Sequence, residues 1–173
     1  MDSSRGFSLI ELLIVVAIIL IIAAIAIPNL LQSRLAANES AAAGSIHSIT
    51  SAEITYYNTY PTIGYAGAIG QLGGATPCTP SSTTACIIDN FLATATPGGT
   101  GKSGYYYQAT GTVTGGATYN DAYVIGAAPI TVHSTGNRDF CSTNDGVLRS
   151  QMGAVGDLPV TTTANCLTFA VAQ

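Results

Sequence analysis

The sequence predicts an α+β protein: one long N-terminal helix whose apolar first half protrudes, and whose amphipathic second half packs on an antiparallel β-sheet head. Three observations predict it. From Phe7 to Ile27 the chain is apolar except at Ser8 and Glu11. From Leu31 to Tyr60 apolar residues recur at helical spacing, and from Pro61 the composition turns to Gly, Thr, Ser, Ala and Tyr in short strand-like runs.

The first element follows from length. As a helix, Phe7 to Ile27 spans about 31 Å, the hydrocarbon thickness of a bilayer. A buried core helix fits poorly, because core helices seldom stay apolar on every face. A cleaved secretory signal also fits poorly. The run exceeds the usual h-region, carries an acid near its start, and continues beyond Pro28 as a helical pattern without a small-x-small cleavage site close behind. A plain anchor leaves Glu11 unexplained, since an ionised carboxylate at that depth costs about 2.5–3.5 kcal/mol unless it finds a partner.

The stretch RGFSLIELLIVVAII, followed by AAIAIPN, resembles the leader and N-terminal helix of type IV pilins and of type II secretion pseudopilins. The resemblance implies that residues 1–6 are a leader peptide, cut between Gly6 and Phe7 by a prepilin peptidase that then N-methylates Phe7. It implies that residues 7–28 are the membrane and filament-core half of the helix, with Phe7, Glu11 and Pro28 serving assembly. In that family the acid neutralises the amino terminus of a neighbouring subunit, so that two charges unfavourable alone become a pair. The chain departs from the family pattern twice. Its leader is short, with Asp2 offsetting Arg5, so the positive-inside signal rests on Arg5 and the amino terminus. Leu20 stands where many relatives have a glycine that eases local unwinding, and Pro28 remains as a helix-breaking element.

Residues 29–60 form the amphipathic half. Leu31, Leu35, Ala42, Ile46, Ile49, Tyr56 and Tyr60 share one face, with Arg34, Asn38, Glu39, Ser45, Ser48 and Glu53 expected mostly off it. Pro61 ends the helix. Residues 61–173 supply loop and sheet: GYYYQAT, AYVIGAAPITV, GVLRSQ and CLTFAVA read as strands separated by turns. Asn144, Asp145 and Gly146 mark a hairpin between a strand ending near Cys141 and one starting at Val147. Gly64 to Gly101 reads as the loop from helix to sheet, and the head as one core without internal repeats.

Cys78, Cys86, Cys141 and Cys166 would lie on the side of the membrane opposite the leader, where disulfides persist, and allow three connectivities. The favoured one joins Cys78 to Cys86, closing CTPSSTTAC, and Cys141 to Cys166, tying the last strand to the sheet as a C-terminal disulfide often does in pilins. By loop entropy these stabilise by about 2.5 and 3.5 kcal/mol. The CTPSSTTAC loop is expected to be exposed, and to carry glycans or contact partners.

No metal or cofactor is expected. C-x-x-C is absent, and His47 and His133 are far apart in sequence. Asp139, Asn144 and Asp145 are weak calcium candidates, because some pseudopilins bind calcium in this region, yet Asn-Asp-Gly already has a hairpin explanation. No serine or cysteine nucleophile has a recognisable base nearby, so no enzyme is expected. Nine tyrosines suit half-buried strands and helix faces better than an electron path. Removing Asp2 and Arg5 leaves eight acids against four scattered bases, which offers no basic stripe for nucleic acid.

The expected function is structural: a prepilin whose mature form polymerises into a type IV pilus filament. Its partners would be copies of itself, prepilin peptidase, the inner-membrane assembly machinery and the membrane. It would begin as a bacterial inner-membrane precursor and end in an extracellular pilus. Two alternatives are a type II secretion pseudopilin and a membrane-anchored binding module.

Overall fold

The computed structural model describes residues 7–172, in two compact units that divide between Arg34 and Leu35. Helix α1, Leu9–Thr59, is rich in Leu, Ile and Ala and carries Pro28 in its interior. The proline ring removes one donor to the carbonyl four residues back, and α1 runs on through it. In the first unit the large apolar side chains from Phe7 to Leu31 are exposed, and this stretch is long and apolar enough to cross a membrane.

In the second unit α1 buries Leu35, Ala42, Ile46, Ile49, Ala52 and Tyr56. It also buries Ser45 and Glu53, which corrects the sequence-based expectation that both lie off the apolar face. Intervals of four from Ile49 to Glu53 and three from Glu53 to Tyr56 place the acid in the apolar stripe. The helix ends as Tyr60 N–H closes on Tyr56 at 2.9 Å and Pro61 offers no further donor.

The linking segment is not featureless. It holds two single-turn helices, α2 (Ile69–Leu72) and α3 (Asn90–Ala93), the latter capped by Asp89 accepting from Leu92 N–H at 2.8 Å. Five strands follow: β1 (Tyr105–Thr112), β2 (Ala122–Pro129), β3 (Arg138–Thr143), β4 (Arg149–Met152) and β5 (Ala170–Val171), with the short helix α4 (Thr163–Cys166) before β5. They form one antiparallel sheet in sequence order, with Gln108 opposite Gly126, Gly126 opposite Cys141, Cys141 opposite Arg149, and Arg149 opposite Val171. The run CLTFAVA, expected as one strand, divides instead into the end of α4, a turn and a two-residue strand. Thr162 starts that helix by accepting from Asn165 N–H, and the disulfide at Cys166 fixes its end.

Tyr105, Tyr107, Ala109, Tyr123, Ile125, Ala127 and Phe140 meet α1 in the main core. On the opposite face Val124, Cys141, Cys166 and Phe169 form a smaller cluster with Val160 against it. Both faces of β2 are therefore covered, and all eight of its residues are buried. Gly126 permits this, because a Cβ there would run into the backbone of Pro159 and Val160. The free edge of β1 is partly occupied: Lys102 and Tyr105 exchange backbone bonds of 2.8 and 3.0 Å, and Tyr107 N–H donates to Ala95 at 2.8 Å.

Candidate functional site

The candidate site is the start of α1. Ser8 precedes the first helical residue, and its N–H donates to Glu11 Oε2 at 3.0 Å. Ser8 carbonyl accepts from Leu12 N–H at 3.2 Å. The acid thus satisfies one of the amides that a helix leaves unpaired at its start, and its negative charge lies at the positive end of the helix dipole. This is half a capping box, legible as S-x-x-E at Ser8 to Glu11. Among the described residues no cation pairs with Glu11. Phe7 stands just outside the helix, 82% exposed, and Gly6 lies outside the described residues.

Among the remaining candidates, Cys78 bonds Cys86 and Cys141 bonds Cys166. In the first loop Thr79, Pro80, Thr83 and Thr84 are exposed, while Ser82 carbonyl accepts the Tyr56 hydroxyl at 2.6 Å. Asp145 is absorbed by its own turn: it accepts from Val147 N–H at 3.0 Å, from Thr143 at 2.9 Å and from Arg149 Nη2 at 2.6 Å. The Arg149 guanidinium holds its carboxyl well below the usual range. Asn144 is exposed.

Asp139 has a different environment. It is 3% exposed on β3 opposite Gln151, and among the described residues its Oδ1 has no partner. Burial, and then the facing Asp157 carboxyl, push it up to about 7, against a hydrogen bond from Gln151. Asp157 in turn accepts Ala154 N–H at 2.6 Å. No group of three or more His, Cys, Asp or Glu is placed to hold a metal among the described residues. His47 is exposed and His133 bonds Asn137.

Comparison with known proteins falls on this same segment. Residues 1–27 match the prokaryotic N-terminal methylation motif. The chain is 60% identical over 40 residues to the type IV wide pilus major component PilA4 of Thermus thermophilus, a stretch covering 23% of this chain and 30% of that relative. No solved structure matches the chain. The chain thus combines a match to a methylation motif, a membrane-length apolar helix and an α+β head, features that resemble a prepilin. Within the matched segment the chain is similar to a type IV pilin, and it spans less than a third of that relative's length.

Proposed function

We propose that this chain is the structural subunit of a type IV pilus filament. Prepilin peptidase cuts between Gly6 and Phe7 and methylates the new amino terminus. The processed subunit waits in the inner membrane, held by its apolar helix, until the assembly machinery adds it to the filament. There helix contacts with other copies replace contacts with lipid. Repetition of one heterologous contact gives an open helical polymer rather than a closed ring.

The observation that carries this reading is the exposed apolar surface of α1 from Phe7 to Leu31, interrupted within its first turn by Glu11 and overlapping the methylation motif. Such a surface needs lipid or copies of itself around it. Glu11 has one oxygen on Ser8, leaving the carboxylate able to accept from a neighbour's amine as well.

The test is to shear the cell surface, collect filaments and determine the intact mass and N-terminal residue of the subunit. Long filaments of a chain beginning at methylated Phe7 are expected. A chain that keeps Met1 and forms no polymer would instead be a membrane-anchored binding module. Short assemblies confined to the periplasm would assign it as a secretion pseudopilin.

A further inference from the structure

Glu53 sits on α1 with no exposed surface. Its Oε2 accepts Ala66 N–H at 2.8 Å, joining the helix to the loop that leads into α2. Among the described residues its Oε1 has no partner, and neither has the hydroxyl of Thr50 one turn earlier. Neighbouring hydroxyls on the same helix behave differently: Ser48, Ser51, Thr55 and Thr59 each return to the carbonyl four residues back. The titratable groups that face Glu53 are phenols, Tyr56 from α1 and Tyr123 from β2. Tyr65 of the loop packs on the Tyr123 ring with centroids 4.7 Å apart. Among the described residues no Lys, Arg or His pairs with Glu53.

A carboxylate in this place would be a buried charge without a counter-charge, whereas a neutral acid needs only hydrogen bonds. We propose that Glu53 is a proton-held clasp, fastening the loop around Ala66 onto α1 and making the opening of that loop depend on pH. In the closed state the acid keeps its proton. When the loop opens, water reaches the carboxyl and the proton leaves at an ordinary acidic pH. The clasp operates within the folded head and is independent of polymerisation.

Burial raises the carboxyl from 4.5 to about 8, outweighing the opposite effect of the Ala66 hydrogen bond. The stabilisation is therefore complete below the unfolded value of 4.5 and is lost as pH rises to about 8. Within that window up to one proton is released per opening, so the open population grows by up to about tenfold per pH unit, or about 400-fold from pH ~5 to pH ~8. The rest of the loop is tied by bonds that do not titrate. Tyr65 N–H donates to Asn120 at 2.9 Å, Asn120 N–H to Ile63 at 3.0 Å, and the Asn120 side chain to Tyr65 at 2.9 Å. Opening is accordingly local to Ala66 and the residues leading into α2.

Amide hydrogen exchange on the full chain in detergent micelles, corrected for intrinsic base catalysis, reads this directly. Wild-type protection at Ala66 to Ala68 should fall nearly tenfold per pH unit between pH ~5.5 and pH ~7. Glu53→Gln should keep the protection and lose the slope, because its amide oxygen still accepts Ala66 N–H and it has no proton to release. Asp139→Asn, distant on β3, should retain the slope. A wild-type profile without pH dependence, or a Glu53→Gln profile as steep as wild type, overturns the clasp.

Discussion

Glu11 offsets part of the cost of its charge by accepting an amide of its own helix, and the remainder bears on what its removal does. Glu11→Ala should insert into membranes at least as well as the native chain, since the transfer cost of a carboxylate disappears. It should fail to polymerise, because a neighbour's amine would then be buried alone, a loss of about 3–5 kcal/mol per subunit. Membrane fractionation followed by filament shearing checks both halves, and abundant filaments of native length would contradict the second. Asp139 meets its cost by holding a proton. With its folded value raised from 3.8 to about 7, its contribution is present at low pH and lost as pH rises through neutrality. Asp139→Asn should therefore flatten the decline in Tm between pH ~4 and pH ~7, leaving the part due to Glu53. An unchanged profile would mean that Asp139 is already ionised in the folded head. Glu11 stood out in the sequence as the one acid in an apolar run, but Glu53 did not. Its polar type argued against a buried position that its spacing from Ile49 and Tyr56 indicated, and only the loop brings the amide that makes burial tolerable.

Among the elements, those defined by a strong repeating pattern were the ones legible in advance. The expected long N-terminal helix, ended by Pro61, agrees with α1, and the tyrosine-rich and valine-isoleucine runs became β1 and β2. The turns α2 and α3 were hidden because four residues carry too little periodicity to register against a Gly- and Thr-rich background. The fate of CLTFAVA was hidden for another reason: its strand propensity yields to a helical turn capped by Thr162 and fixed by the Cys141–Cys166 bond. Packing on the far face of the sheet depends on close approach rather than on pattern, and Gly126 is where it shows. Gly126→Ala should destabilise the head by about 1–3 kcal/mol through overpacking against Val160. Thermal unfolding would measure this, and a neutral result would mean that the segment from Pro159 to Val160 moves freely away from β2.

For the whole molecule, the division between Arg34 and Leu35 suggests a simple dissection. Both core clusters and both disulfides fall within Leu35–Gln173. An oxidised fragment of that unit should be soluble, unfold in one cooperative transition and form no filaments, as circular dichroism and size-exclusion chromatography would report. A fragment without a transition would show that the core needs the first part of α1. A filament crowds many copies of one head side by side, conditions in which open sheet edges invite strand-to-strand aggregation. Here one edge is a strand of two residues and the other has its first amides taken by Lys102 and Ala95. Little template is left for a neighbouring sheet to extend, which guards copies brought together at high density against amyloid-like fusion of their heads.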